Sequence, residues 1–346
     1  MVPNICQHFF SSHFLRVARI LRRQGSSPIC QVQTIKRAET DDRLTCMRTN
    51  LRHKKTRENG VTEWDTARIY PGSEKSIGDL GIADDLVIDT KARSFEEGAL
   101  TRDGIFESIK QSFDELKVDS VEIYYLHAPD PITPIEETID AINELYKQGK
   151  FKKFGLSNYT PDDVKKIYEY AKSKNYVLPT VFQGNYNAFS RSIEKDLFPV
   201  LRKYGISFYA YSPIAGGFLV KSVQQIEEGA GRFKKGTMIG DLYSKLYNTP
   251  KLLKGLEKWD DIAKKYDIPK SHLAYRWIAF HSSLSKKDDD AVIIGGKNHE
   301  QVADTLNAFK EGALPKEAVA EIDDLWESIK DEAPVNNYVV AAGAMK

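Results

Sequence analysis

The stretch DDLVIDTKARSFEEGALTRDGIFESIKQSFDELKVDSVEIYYLHAPD, residues 84–130, decides the reading of the fold. It opens with a short apolar run, 85–91, that closes on Lys91. Ile105, Ile109, Phe113 and Leu116 then recur on one stripe, a spacing that predicts a helix over 101–117. A second apolar run, 119–127, closes on His127. Strand, helix, strand in this order is a βαβ unit with parallel strands, because the helix carries the chain back to the starting edge.

The same unit repeats in both directions. Upstream, GVTEW runs into Asp65, and SEKSIGDL (73–80) reads as a helix start with Ser73 or Glu74 near its cap. Downstream, Thr133 and Pro134 open a helix over 134–148 with Ile139, Ile142, Leu145 and Tyr146 on its apolar stripe. Strand 151–157 ends in Ser157 and Asn158, and Thr160 caps a helix from Pro161 whose Asp162 and Asp163 suit its positive end. Strand 179–184 ends at Gln183 and Gly184, a helix covers 192–204, and strand 206–211 ends in Tyr211, Ser212 and Pro213. Residues 214–250 break the rhythm and read as a functional loop or lid. Helices follow at 251–266 and 270–283, then a last strand AVIIGG (291–296), a helix after GKNHEQ, and a helix over 316–330. The tail 331–346, polar and then Ala/Gly-rich, is expected to lie loosely over the surface.

The 346 residues carry 41% hydrophobic and 29% charged side chains and a net charge of +1, the balance of an ordinary globular protein and not of a nucleic-acid binder. The charge is uneven. Residues 1–60 hold 12 Lys/Arg against 4 Asp/Glu (+8), and the rest 38 against 45 (−7). No apolar run approaches the roughly 18–20 residues of a membrane span. Cys6, Cys30 and Cys46 all fall in the basic part, so the body is expected to fold without disulfides, as in a reducing compartment. The scattered His residues and the lack of CxxC or HExxH predict no metal site. FFSSHFLRVARILRR, within 1–38, has the composition of a mitochondrial presequence, or else marks a disordered or wrongly translated start; otherwise the expected location is cytoplasmic. SPICQVQTI (27–35) reads as a strand, and 41–56 as a very basic helix with a thin stripe of Leu44, Met47 and Leu51.

In a parallel barrel the C-terminal strand ends share one face, and chemistry sits there. Asp65, Lys91 and His127 close three consecutive strands, and Tyr70 follows Asp65 in the loop ARIYPGSEKSIG. A free Tyr, with a pKa near 10, is a poor proton donor at neutral pH, but an ammonium within about 4 Å favours its phenolate. Asp65 would hold Lys91 charged, and His127 would orient a carbonyl oxygen. Such a set suits protonation of a carbonyl oxygen while hydride from a nicotinamide attacks the carbon. No GxGxxG follows a strand, so a Rossmann site is absent. A barrel offers instead the loops after its last two strands and a helix N-terminus. SPIAGGFL and IGGKNHEQ stand there, while Tyr211 can stack on a flat ring and Ser157, Asn158 and Gln183 can bond a carboxamide.

These motifs resemble the aldo-keto reductase superfamily. The matching stretches are DTARIYPGSEKSIG, VIDTKA, YYLHAPD, FGLSNYTPDDV, TVFQGNYNAFSR, FYAYSPIAGGFL and IIGGKNHEQ, in order over 57–330. LHAPDPITPIEETIDAINELYKQGKF, QGNYNAFSR and Gly231–Phe233 look most like the aflatoxin-aldehyde reductase group. The resemblance implies a (β/α)8 TIM barrel over 57–330, preceded by a basic, atypical segment 1–56 and followed by the tail 331–346. It implies NADPH-dependent reduction of a small-molecule aldehyde, with Tyr70 as proton donor, Lys91 and Asp65 as its activators and His127 as the carbonyl-orienting residue. Ser157, Asn158 and Gln183 would hold the nicotinamide carboxamide and Tyr211 its ring. Ser212, Pro213, Ile214, Gly216, Gly217 and Leu219 would wrap the pyrophosphate, and Gly295, Gly296, Lys297 and Gln301 the adenosine phosphate. Arg232 would anchor an anionic substrate group. No nucleic-acid or membrane partner is expected, and a homodimer is the assembly considered.

Three features depart from that pattern. The family's Gly-containing first strand is not recognisable, so residues 27–56 would form a divergent first βα unit, or else the body is a defective seven-strand sheet with an open edge. Gln301 stands where many relatives carry an Arg near the 2′-phosphate, leaving Lys297 to compensate. The end reads NNYVVAAGAMK in place of an aromatic and an Arg. Two other readings stay open: a barrel aldolase with Lys91 as Schiff-base nucleophile, and a non-catalytic NADPH-binding subunit.

Overall fold

The computed structural model describes residues 14–17, 29–35 and 42–338, with side chains from 49 onward. Its strands are β1 (Phe14–Val17), β2 (Ile29–Ile35), β3 (Glu63–Asp65), β4 (Val87–Lys91), β5 (Val121–Leu126), β6 (Phe151–Ser157), β7 (Pro179–Asn185), β8 (Ser207–Tyr211) and β9 (Ala291–Gly296). Strands β3 to β9 pair in parallel, in chain order, as one curled sheet. The backbone of β2 pairs in parallel with both β3 and β9, and β1 lies antiparallel to β2 and β9, so the pairings run round as a closed barrel.

Helices lie between the strands: α1 (Asp42–Glu58), α2 (Ser73–Asp79), α3 (Arg102–Leu116), α4 (Ile135–Lys147), α5 (Pro161–Ser173), α6 (Ile193–Asp196) and α7 (Phe198–Tyr204). After β8 come α8 (Val223–Glu227), α9 (Met238–Tyr247), α10 (Pro250–Lys265) and α11 (Lys270–Phe280), and after β9 come α12 (His299–Lys310) and α13 (Lys316–Ile329). Thr160 and Asp163 form the expected reciprocal cap of α5.

Alternation along each strand sorts the buried side chains into two groups. Ile123, Tyr125, Val181, Tyr209, Tyr211, Ala291 and Ile293 form a cluster of their own inside the curl. Their neighbours Tyr124, Leu126, Phe182, Phe208, Ala210, Val292 and Ile294 belong to the large cluster shared with the helices. The interior is crowded: a Cβ on Gly155 would stand 2.2 Å from the Tyr125 ring.

Several local expectations need correction. Helix α1 turns a polar face inward: Thr49, Arg52, His53 and Thr56 are buried, while Leu51, expected on the apolar stripe, is exposed. Helix α2 starts after Gly72, in a left-handed conformation, and neither Ser73 nor Glu74 caps it. Tyr146 sits at the edge of the α4 stripe and is 41% exposed, its ring against Phe151. The helix expected over 192–204 breaks at Leu197 into α6 and α7, with Pro199 in the first turn of α7 where its missing N–H costs nothing. Residues 214–250, read as a functional loop or lid, hold more regular structure than that reading named: two 3-10 turns, Ala215–Val220 and Gly231–Phe233, besides α8 and α9. The tail is tied down as far as it is described. The Ser190 hydroxyl donates to the Pro334 carbonyl, Asn336 Nδ2 to Asn158 O (3.2 Å) and Tyr338 OH to Pro129 O (3.2 Å). The presequence-like reading of 1–38 lies outside the described residues, apart from the backbones of β1 and β2, as do residues 339–346.

Asp290 joins the last two strands to their helices. Its buried carboxylate accepts from Phe208 N (2.7 Å), Ser285 N (2.8 Å) and Arg202 Nη1 (2.9 Å). Burial raises its pKa, and Arg202 and the two amides oppose that rise. We expect Asp290→Ala to lower stability in urea unfolding by roughly 3–5 kcal/mol, the range for breaking a buried charge pair. A loss under about 1 kcal/mol would mean that water replaces the carboxylate at little cost.

Candidate active site

Asp65 ends β3 and Lys91 ends the adjacent β4, and both side chains are completely buried. In the parallel register Asp65 lies opposite Asp89, and Lys91 two residues further on points to the same side. Lys91 Nζ therefore reaches across to Asp65 Oδ1 at 2.5 Å and to the Thr66 carbonyl at 2.8 Å. Gln183, two residues before the end of β7, donates to the same Asp65 oxygen at 2.9 Å. Lys91 Nζ lies 5.4 Å from the centre of the Tyr70 ring and 5.3 Å from that of Tyr125. His127 meets the Tyr70 ring edge-on, with centroids 5.7 Å apart. The four residues expected to act together thus converge, and an amine locked into an ion pair and a carbonyl bond is poorly placed to be a Schiff-base nucleophile.

The loop carrying Tyr70 is held from behind. Thr66 and Ser73 share a hydroxyl bond of 2.7 Å, Arg68 pairs with Glu74 (2.6 Å) and Glu115 (2.8 Å), and Thr90 donates to Glu74 (2.6 Å). Burial raises the Glu74 pKa, against the pull of Arg68. Deeper in the curl, Asp89 accepts from Ile123 N at 3.1 Å; burial, then the nearby Glu63 and Asp65, push its pKa well up.

The carboxamide candidates form one chain of bonds. Asn158, in a left-handed conformation (φ 65°), donates to His127 O (2.8 Å) and Ser157 Oγ (3.0 Å), and Tyr211 OH donates to Asn158 Oδ1 (3.0 Å). Beyond Tyr211, positive φ recurs at Ser212, Ala215, Gly216 and Gly217, a tight turn in which Ala215 N and Gly217 N bond back to Ser212 O (2.8 Å) and Ile214 O (2.9 Å). Gly216 has no room for a Cβ, which would stand 1.9 Å from the Tyr243 ring. The turn is pinned by Asn187 to Ser212 O (3.1 Å) and by Trp259 to Leu219 O (3.0 Å). Ser212 Oγ is buried without a hydrogen-bond partner, as expected of a hydroxyl meant for a ligand. Pro213 and Ile214 complete this turn.

After β9, Gly295 and Gly296 lead to Lys297 and to the start of α12, where Asn298 caps Gln301 N (3.0 Å). Gln301 is exposed, and its side-chain oxygen accepts from Lys297 N at 2.7 Å. Arg232, expected as a loop residue facing substrate, is buried, bonds Tyr243 OH and lies over that ring at 4.8 Å. Its neighbour Lys221 donates to Gly217 O (3.0 Å); burial, then Arg232, lower its pKa.

Sequence reading missed Phe95 and Tyr338. Phe95 holds φ at 69°, costly for a bulky residue. It packs edge-on against His127 (5.6 Å) and tilted against Tyr338 (5.8 Å). Tyr338 supplies an aromatic at the mouth, which the tail's composition hid. A cavity of about 490 Å³ adjoins, walled by Asn158 and Tyr211 on one side and Pro334 to Asn336 on the other.

The family model described as aldo/keto reductase family matches residues 50–327. An oxidoreductase, sirO, of Leptosphaeria maculans is 40% identical over 279 residues, 80% of this chain and 85% of that protein. Aflatoxin B1 aldehyde reductase member 2 of Homo sapiens is 36% identical over 296 residues, 81% and 82% of the two chains. Aldo-keto reductase pigE of Monascus ruber is 30% identical over 295 residues, 79% and 84%.

Lys91→Met strands a buried carboxylate, and we expect it to cost roughly 3–5 kcal/mol in chemical unfolding. Adding Asp65→Asn should recover part of that loss, because the two residues share one interaction. Strictly additive losses would show that the pair is not energetically coupled.

Proposed function

The chain belongs to the aldo/keto reductase family, and from that membership we propose that it is an oxidoreductase that reduces aldehydes to alcohols, with NADPH as reductant and Tyr70 as proton donor. The observation that carries the reading is the buried Lys91–Asp65 pair against Tyr70, with His127 on the far side of the ring. We read β2 to β9, with their helices, as a (β/α)8 barrel whose opening unit, β2 and α1, is atypical.

The buried hydroxyl of Ser212 and the cramped, left-handed Gly216 and Gly217 fit a diphosphate, and the capped start of α12 fits a further phosphate. NADPH, when bound, supplies hydride to the carbonyl carbon. Tyr70 gives its phenolic proton to the carbonyl oxygen. Lys91, fixed by Asp65 and the Thr66 carbonyl, stabilises the phenolate left behind. His127 orients the carbonyl oxygen, and its own backbone is held by Asn158. Gln183 keeps its amide nitrogen on Asp65, leaving its oxygen for a carboxamide donor, and the flat ring of Tyr211 backs the nicotinamide. Arg232 and Lys221 meet at the Gly217 turn and so stand on the phosphate side, away from a substrate anion. Phe95 and Tyr338 wall the mouth where an aldehyde enters.

Tyr70→Phe should lower kcat for aldehyde reduction by about 10²–10⁴ and leave NADPH binding nearly intact. An unchanged rate would remove Tyr70 as the donor. Lys297→Met should raise KM for NADPH more than for NADH; equal effects would take Lys297 out of the 2′-phosphate site.

A further inference from the structure

We propose that the cavity of about 490 Å³ beneath the tail is a second small-molecule site, apart from the candidate active site, that takes an uncharged, mainly apolar ring compound. Its place follows from alternation along β7. Val181 belongs to the cluster inside the curl, and the next residue, Phe182, to the cluster shared with the helices. Phe182 and Gly184, both on that helix side, line the cavity, and Ile193 and Leu197 around α6 and Leu246 of α9 complete the wall. None of Asp65, Tyr70, Lys91 and His127 lines it. The two sites touch only through Asn158 and Tyr211.

Three observations point to a ligand and to its chemistry. First, protein interiors are close-packed, and an apolar space of this size forfeits the contacts its walls would make if filled. The tail could close that space by settling onto β7, but it is fastened. Lys251 pairs with Asp331, Thr249 donates to Glu332 (2.6 Å), Ser190 donates to Pro334 O, and Asn336 donates to Asn158 O (3.2 Å). Second, the walls are the rings of Tyr159 and Phe182 and the aliphatic Ile193, Leu197, Leu246 and Pro334. The buried amides Asn158 and Asn185 also line it, and their nitrogens are committed, to His127 O (2.8 Å) and to Ser190 Oγ (3.0 Å). Apolar walls with few polar groups are the usual form of a small-molecule pocket. Third, the exposed rim carries Asp196 and Glu332 against Lys245. Two carboxylates against one ammonium disfavour an anion.

The experiment titrates the full chain with N-phenyl-1-naphthylamine, an uncharged dye that brightens in apolar surroundings and has no carbonyl to reduce. We expect saturable binding of one dye per chain, unchanged by saturating NADPH, and a melting temperature that rises with dye concentration. Ala333→Trp and Val335→Trp each add an indole to the wall. Each should weaken the dye by about tenfold or more, with NADPH binding within about twofold. Val335 is 57% exposed, so its variant serves if Ala333→Trp melts early. Absence of saturable binding, displacement of the dye by NADPH, or dye binding unchanged in both variants overturns the proposal. A wild type that does not bind NADPH removes the nicotinamide reading instead, and the two variants then decide the cavity by themselves.

Discussion

A lysine and an aspartate, neither touching solvent, face each other across two neighbouring strands, and the candidate site depends on that contact. Taking both charges out of water is expensive, and only close geometry with further bonds compensates. Here the geometry follows from strand pairing: β3 and β4 lie side by side, and Lys91 extends one pleat beyond the residue opposite Asp65. Thr66 O and Gln183 Nε2 complete the donors and acceptors around the pair. The surrounding interior is acid-rich, with Glu63 and Asp89 buried in the same curl, and burial pushes Asp89 toward its neutral form. The lysine keeps the Asp65 carboxylate as its partner, and Tyr70 packs against it.

Alternation explains why so many candidate residues share one space. Asp65, Lys91, Ser157 and Tyr211 are the last inward positions of their strands, Gln183 is one inward position short of the end of β7, and His127 extends the inward row of Ile123 and Tyr125. A shift of one residue in any strand would turn its member outward among the helices. The remaining parts come from loops, which are not bound by that rule. Phe95 accepts an unfavourable backbone angle to meet His127, and Asn158 does the same to join His127, Ser157 and Tyr211.

The two loops proposed to hold phosphates are built from backbone more than side chains. Ser212, Ala215, Gly216 and Gly217 are left-handed, Asn298 caps the start of α12, and two buried or half-buried cations, Arg232 and Lys221, stand behind the first of these loops. Sequence reading located these loops by their position after the last two strands. It did not anticipate the side-chain contacts there: Gln301 accepts from Lys297 N, and Arg232 stacks on Tyr243.

The period of apolar residues, the strand-ending titratable groups and the cap signals are local properties, so the parallel order of β3 to β9 and the meeting of Asp65, Tyr70, Lys91 and His127 were legible in the amino-acid order alone. Tertiary structure decided what local patterns do not encode. Leu51 faces solvent because α1 packs through Arg52 and its polar neighbours, the 192–204 helix breaks ahead of Pro199, and the tail is pinned by Ser190 and Asn158, far away in sequence. Periodicity reports how a segment meets an average apolar surface. Which partner each side chain meets depends on which segments arrive beside it, and that is fixed only when the sheet closes its neighbours together.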